Sequence, residues 1–142
     1  MSAPAAGVWQ VLADPGHMSV LSPELDRIEW RGAPEPGVGG TFRGHNRVGL
    51  FRWSTTNVIE TVEQERVFGW RTVEFGHLVY RWTYRLSPDA DGCRVTERFE
   101  TTGPISLFYH LWGRYPMLRH GMRTTLQAIK TEAEQTAAQQ QT

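Results

Sequence analysis

The chain has 142 residues, and its 15 Lys and Arg balance 15 Asp and Glu, which gives a formal net charge of zero. This length suits one domain with a sizeable core, and the balanced charge argues against a nucleic-acid surface, which needs a basic footprint. Cys93 is the single cysteine, so no internal disulfide can form and a reducing compartment such as the cytoplasm fits. We expect no signal peptide and no integral membrane segment, because no stretch approaches the ~20 apolar residues of a span.

The N-terminal segment predicts two short helices. Apolar side chains in residues 8–13 cover one side of two helical turns, and Asp14-Pro15-Gly16 then gives a strong turn signal. A second short helix or turn is predicted for residues 17–21, before Ser22-Pro23.

Six segments with period-2 alternation follow, rich in aromatic and β-branched residues, and they predict β-strands. The predicted strands are residues 24–30, 41–47, 51–62, 66–75, 77–86 and 93–102. Glycine, proline and polar clusters separate them, at residues 32–40, 48–50, 63–65, 76 and 87–92.

Alternation sorts the side chains of these strands into two faces. The residues expected to share one face are Phe42, Gly44 and Asn46, then Phe68, Trp70 and Thr72, then Leu78, Tyr80, Trp82, Tyr84 and Leu86, then Cys93, Val95, Glu97, Phe99 and Thr101. This aromatic face is the one expected to point inward.

A long C-terminal helix is predicted for residues 104–135, because apolar residues recur at spacings of three and four. Pro116 should kink or split this helix, since it lacks a backbone donor and clashes with the preceding turn. The kinked segment either gates entry to a cavity or is a static bend. No repeat or linker is visible, so we predict a single domain over residues 1–142, with flexible ends at 1–6 and 136–142.

Three stretches carry a resemblance to a known family: VWQVLADPGHMSVLSPEL (8–25), GVGGTFRGHNRVGLFRWSTTNVIETVEQERVFGWRT (37–72) and GCRVTERFET (92–101). They resemble the START/pollen-allergen superfamily, also called SRPBCC, and more closely its small bacterial polyketide cyclase/dehydrase-like branch. The resemblance implies an α+β helix-grip fold, a curved antiparallel sheet of about six strands wrapped around a long C-terminal helix, with two short N-terminal helices. It also implies a cavity between sheet and helix.

The N-terminus departs from that family, whose members usually open with a strand before the first helix. Residues 1–7 are poor strand material, so either the true start lies upstream or the first strand is short or missing. A missing strand would leave an unpaired edge, which predicts a homodimer as a hypothesis.

No strong catalytic motif is present, and the five histidines lack metal-ligand spacing, so we expect no metal and no cofactor. Glu97 is the first catalytic candidate, because a carboxyl on the inner face is costly unless it is hydrogen-bonded, paired or wet. It would serve as a general acid/base or as a ligand anchor with a raised pKa. The alternatives are a strand bulge at this position, or an ion pair with Arg71 or Arg81.

His45 is the second catalytic candidate, since strand ends face the cavity mouth in this fold; an ordinary polar hairpin end is the alternative. The candidate ligand-binding residues are Phe42, Asn46, Trp53, Trp70, Tyr80, Trp82, Tyr84 and Phe99 from the sheet, with Tyr115, Leu118 and Met122 from the helix. Their aromatic rings offer apolar area plus polar handles, although the same rings could instead fill the core completely.

Three hypotheses for the function follow. The first is a cavity that binds a hydrophobic or aromatic small molecule, with polyketide cyclase/dehydrase-like activity through folding of a flexible substrate. The second is a non-catalytic carrier or sensor for a lipid or metabolite. The third is a protein-interaction module with a filled core.

Overall fold

The computed structural model describes residues 1–32, 37–74, 77–101, 103 and 113–142, and for residues 74 and 77–79 it describes the backbone alone. The helices are α1 (Ala5–Leu12), α2 (Pro15–Leu21) and α3 (Arg114–Gln140). The strands are β1 (Leu25–Arg31), β2 (Thr41–Val48), β3 (Phe51–Glu63), β4 (Val67–Glu74), β5 (His77–Asp89) and β6 (Gly92–Thr101).

The six strands form one antiparallel sheet in the order β1-β2-β3-β4-β5-β6, so every strand pairs with its neighbour in the chain. The register shifts between Leu25 and Arg27, between Ile59 and Thr61, and between Thr72 and Val73. Such irregularities bend a strand and increase its twist. The prediction of an α+β fold with a curved antiparallel sheet, two short N-terminal helices and a long C-terminal helix is confirmed.

The turn signal at residues 14–16 also starts a helix. The carboxylate of Asp14 accepts hydrogen bonds from the backbone N–H groups of Gly16 (2.9 Å) and His17 (3.3 Å), and so caps α2. Pro15 occupies the first helical position, where its missing donor has no cost.

The core lies between the inner face of the sheet and the helices α1 and α3. Its fully buried side chains include Val8 and Leu12 of α1, Ile59 and Phe68 of the sheet, and Ile129 of α3. Leu118, Thr125, Ile129 and Ala133 are the buried residues of α3. Their spacing of seven and four places them on one stripe of the helix, as expected for a helix packed on a sheet.

The helix α3 starts and ends differently from the prediction. It begins at Arg114 after Gly113, whose φ of 63° is left-handed, so Pro116 lies in the first turn and interrupts no internal hydrogen bond. The predicted helical residues 104–112 lie outside the described residues. At the other end α3 continues to Gln140, because the Ala- and Gln-rich tail has good helix propensity.

Among the described residues, no strand precedes α1. Met1 instead pairs with β6 at a single position: its amino group donates to the Cys93 carbonyl (2.9 Å), and the Cys93 N–H donates to the Met1 carbonyl (3.0 Å). The homodimer hypothesis remains a prediction. Within the described part of the chain, no helix is long and apolar enough to cross a membrane.

Candidate ligand-binding cavity

A cavity of about 100 Å³ lies between the inner face of the sheet and the start of α3. Its lining residues are Met18, Ser22, Pro23, Glu24, Leu25, Phe42, Asn46, Trp53, Thr55, Asn57, Trp70, Tyr80, Trp82, Tyr84, Glu97, Phe99, Arg114, Leu118, Gly121, Met122 and Thr125. An apolar cavity of ~150 Å³ holds one benzene ring, whereas typical ligand pockets span ~300–1,000 Å³. The cavity is smaller than both, so even a single-ring ligand requires lining side chains to move or must extend beyond the cavity.

A row of aromatic rings across three strands forms one wall of the cavity. Trp70 of β4 lies directly opposite Trp82 of β5, and Trp82 lies opposite Phe99 of β6. The ring centroids are 6.2 Å apart in the first pair, which is stacked, and 4.6 Å apart in the second. Cross-strand partners project to the same face, so the in-register pairing places all three rings on the inner face.

The same register brings Glu97 of β6 opposite Tyr84 of β5. The Tyr84 hydroxyl donates a hydrogen bond to Glu97 Oε1 at 2.7 Å, while Oε2 is buried and has no hydrogen-bond partner among the described residues. Burial raises the pKa of Glu97 to about 7, against the opposing effect of the hydrogen bond from Tyr84. The pKa of Tyr84 is raised well above its usual value, by its own burial and then by the charge of Glu97.

The ion pair of Glu97 with Arg71 or Arg81, one alternative from the sequence, is a wrong prediction. Arg81 binds Glu60 instead, on the outer face of the sheet. Arg71 lies opposite Arg81 in the register of β4 and β5, and therefore shares that outer face. The inner carboxyl has a phenol as its partner rather than a guanidinium.

A polar network forms a second part of the wall. Thr72 Oγ1 donates to Asn57 Oδ1 at 2.6 Å, and Asn57 Nδ2 donates to Thr55 Oγ1 at 3.1 Å. Gly44 on the neighbouring strand makes room for this network, because a Cβ there would lie 3.1 Å from Asn57 Nδ2 and 3.2 Å from Thr55 Oγ1. Sequence reasoning missed Thr55 and Asn57, although both alternate with Trp53 on β3 and share its face.

An ion pair joins the start of α3 to the segment before β1. The Arg114 guanidinium donates to both oxygens of the Glu24 carboxylate, at 2.7 and 2.5 Å. Their side chains are only 18% and 19% exposed, and the Arg114 guanidinium carbon lies 5.5 Å from the Trp53 ring centroid. No sequence signal links Glu24 to Arg114, because the two residues are 90 positions apart.

The structure brings together most of the predicted site residues. Glu97 and all the predicted ligand-binding residues except Tyr115 line the cavity, and the Tyr115 hydroxyl lies 2.6 Å from Thr101 Oγ1. His45 lies on the outer face, because it alternates with the inward Asn46. Its Nδ1 is 3.1 Å from Ser54 Oγ, and its Nε2 approaches Glu29 Oε1 to 3.3 Å without hydrogen-bond geometry. His45 and Glu97 therefore lie on opposite faces of the sheet.

The fold and the cavity define a helix-grip protein with a ring-lined space between the sheet and the C-terminal helix. The family model described as "Polyketide cyclase / dehydrase and lipid transport" matches residues 1–134, and the chain belongs to this family. The resemblance to polyketide cyclase-like SRPBCC proteins is thereby confirmed. Among curated proteins, none matches the sequence.

Solved structures share the fold. The Polyketide_cyc-like protein Cgl2372 from Corynebacterium glutamicum is 26% identical, with a TM-score of 0.54 over 94% of this chain and 80% of its own. The Zhui aromatase/cyclase from Streptomyces sp. R1128 is 20% identical, with a TM-score of 0.69 over 94% and 88%. The di-domain ARO/CYC StfQ of the steffimycin pathway is 13% identical, with a TM-score of 0.78 over 96% of this chain and 49% of its own.

Proposed function

We propose that this chain binds a small, hydrophobic, ring-bearing molecule in the cavity between the sheet and α3. The observation that carries the proposal is the row of Trp70, Trp82 and Phe99 along a cavity that the side chains of the described residues leave unfilled. A flat apolar ligand would bury its surface against these rings and gain the packing that the cavity lacks. The existence of the cavity argues against a filled core used only for protein partners.

Cyclase/dehydrase-like catalysis is the second candidate function, and the pairing of Glu97 with Tyr84 favours it. A carboxyl whose pKa lies near 7 is partly protonated at neutral pH, and can both give and take a proton in a reaction. The family and the aromatase/cyclase fold neighbours support this candidate. A non-catalytic carrier would need the cavity alone, so ligand binding is the step to establish first.

Native mass spectrometry of freshly purified protein, followed by displacement of a fluorescent apolar probe, tests binding. Met122→Trp should weaken probe binding at least tenfold, because Met122 lines the cavity and the larger side chain would fill it. Met117→Trp is the matched control, on the same helix but 49% exposed and outside the lining, and should bind like the parent. Failure of the parent chain to carry or take up any apolar molecule would contradict the proposal, as would equal binding by Met122→Trp.

A further inference from the structure

The hairpin between β2 and β3 carries two exposed apolar side chains at its tip. Gly49 and Leu50 form the two-residue connection, and Val48 pairs with Phe51 across it. Leu50 is fully exposed and Phe51 is 70% exposed. Gly49 has a φ of 60° at the first central position, where type II′ hairpin turns have glycine. Such a short turn has a defined backbone, so it holds Leu50 at the outermost point of the hairpin.

Two arginines flank this tip. Arg47 and Arg52 are both exposed and lie directly opposite each other in the register of β2 and β3. Like charges at directly opposite positions of an antiparallel pair repel each other. An anion that both guanidinium groups can contact would relieve this repulsion, and phosphate suits arginine because its oxygens accept two parallel hydrogen bonds.

The tip adjoins other apolar surface at the same end of the molecule. Phe51 contacts Trp53 of the cavity wall, and their ring centroids are 5.4 Å apart. A groove beside the hairpin is lined by Val48 and Gly49 and, from α3, by Met117, which is 49% exposed. Exposed apolar side chains from the hairpin and from α3 are therefore close together, with the two arginines next to them.

We propose that this tip docks on the surface of an anionic lipid bilayer, with Leu50 and Phe51 among the headgroups and with Arg47 and Arg52 against lipid phosphates. Peripheral binding of this kind depends on the apolar area that enters the interface and on attraction between basic side chains and anionic lipids. The tip combines both within six consecutive residues, 47–52. The inference goes beyond ligand binding in the cavity and does not depend on it.

A protein partner is the competing occupant of the tip. An aromatic side chain buries at most ~250 Å², so Leu50 and Phe51 together offer much less than the ~800 Å² per partner of a stable protein interface. A two-fold contact between two copies through this tip would also bring four guanidinium groups together. A bilayer needs no matching surface and supplies phosphates, so it fits a small projecting tip better.

Flotation with lipid vesicles tests the proposal. One vesicle preparation is phosphatidylcholine alone, and the other contains about one third phosphatidylglycerol. We expect the parent chain to bind the anionic vesicles at least fivefold more tightly, and added salt should weaken that binding. Leu50→Ser and Phe51→Ser should each lower the partition coefficient severalfold, because each removes apolar area from the interface. Arg47→Gln and Arg52→Gln should each lower it by about fivefold on anionic vesicles.

Val38→Ser is the matched control for the apolar variants. Val38 is 68% exposed, as Phe51 is 70% exposed. It lies in the segment before β2, near the far end of β3, because the adjacent Gly39 N–H donates to the Ile59 carbonyl at 2.8 Å. Val38→Ser should bind both vesicle preparations like the parent chain.

Arg85→Gln combined with Arg94→Gln is the matched control for the arginine variants, since it changes the net charge by the same amount as the double arginine variant of the tip. Both residues are exposed. Arg85 lies opposite Val67, which in turn lies opposite Glu63 at the end of β3 that is far from the hairpin tip. This control should keep the parent's binding to anionic vesicles.

The outcomes decide between the membrane and the other occupants. Absence of binding to anionic vesicles would overturn the proposal, as would equal binding to the two vesicle preparations. Equal losses in the tip variants and in their controls would overturn it too, because binding would then reflect overall charge or apolarity. A dimer in sedimentation equilibrium that Leu50→Ser dissociates, without vesicle binding by the parent, would assign the tip to a second copy. Uptake of the apolar probe by Leu50→Ser should match the parent, since Leu50 does not line the cavity.

Discussion

Two glutamates on opposite faces of the sheet show how the face decides the chemistry of a side chain. Glu60 on the outer face receives two hydrogen bonds from Arg81, at 2.5 and 2.9 Å, and these hold its pKa below the usual range. Glu97 on the inner face receives one hydrogen bond from the described residues, that of Tyr84, and burial raises its pKa to about 7. The same residue type is therefore a fixed anion outside and a titratable acid inside.

Stability does not explain why a glutamate occupies position 97. The outer face has water and arginines for its carboxylates, so Glu60 and Arg81 satisfy each other at little cost. The inner face gives Glu97 no cation among the described residues and leaves one of its oxygens without a partner. A hydrophobic residue would serve the core better at this position, and strongly perturbed acids in clefts are frequently functional.

The largest expected effect is on the pH dependence of stability. The pKa of Glu97 is about 7 in the folded chain against an ordinary value of 4.5, so between these pH values the native state holds a proton that the unfolded state has lost. The stabilisation that this bound proton gives the folded chain is therefore fully present below pH 4.5. It is lost as the pH rises through 7, which lowers the free energy of unfolding by roughly 3 kcal/mol. Urea unfolding of the parent and of Glu97→Gln from pH 4.5 to 8.5 measures the difference.

The outer face supplies the control for this prediction. Glu60 has a lowered folded pKa, so its contribution is present above its unfolded pKa and is lost as the pH falls through the folded value. Glu60→Gln should therefore differ from the parent with the opposite slope, in the acid range. A constant difference between the parent and Glu97→Gln across the pH range would show that Glu97 titrates like an exposed acid.

A third glutamate, Glu24, has both an arginine partner and a mostly buried side chain. Arg114→Met should destabilise the chain by roughly 2 kcal/mol, between the values of surface and buried pairs, since it leaves the Glu24 carboxylate mostly buried without its bidentate partner. The double variant with Glu24→Gln should recover much of the loss. Urea unfolding at pH 7 measures both variants, and a loss below about 0.5 kcal/mol for Arg114→Met would place this pair with ordinary surface pairs.

Alternation along the strands was enough to assign Glu97 and Tyr84 to the inner face. In a strand the face of each side chain is fixed locally by the period of two, so residues 80, 82 and 84 of β5 and residues 97 and 99 of β6 could be grouped from the sequence alone. The same rule shows that Arg81, which falls between Tyr80 and Trp82, must point outward and cannot pair with Glu97. It likewise places His45 on the outer face, because His45 adjoins the inward Asn46.

Tertiary contacts explain what the sequence could not predict. The pairing of Glu24 with Arg114 depends on where α3 lies over the sheet, and no local pattern encodes that placement. The start of α3 depends on Gly113, whose left-handed backbone begins a helix that periodicity alone extends further back. The volume of the cavity is equally a matter of global packing, because the same aromatic residues could have filled it.

Tyr84→Phe tests the hydrogen bond to Glu97 on the inner face, with a smaller expected effect on stability. Removal of the hydroxyl takes away the hydrogen bond from Tyr84 that favours the Glu97 carboxylate, so the pKa of Glu97 should rise further. We expect a loss of about 1 kcal/mol at pH 8.5 and a smaller loss at pH 5, where the carboxyl is neutral. A double-variant cycle with Glu97→Met, which removes the acceptor, followed by urea unfolding at both pH values, isolates the coupling. Additive effects at pH 8.5 would mean that the two side chains do not act together.

The smallest effect is expected on the outer face. Arg81→Gln removes the cation from Glu60, yet both side chains reach water, with exposures of 36% and 28%, so the loss should stay within about 1 kcal/mol. Added salt should shrink that loss further, because mobile ions screen exposed charges, whereas the loss in Arg114→Met should change less. Urea unfolding at low salt and in 0.5 M NaCl, where the Debye length is on the order of 4 Å, measures the loss in both variants. If Arg81→Gln proved as costly and as insensitive to salt as Arg114→Met, the outer face would not be behaving as solvated surface. The contrast between Glu60 and Glu97 would then reflect their partners alone and not the side of the sheet on which they lie.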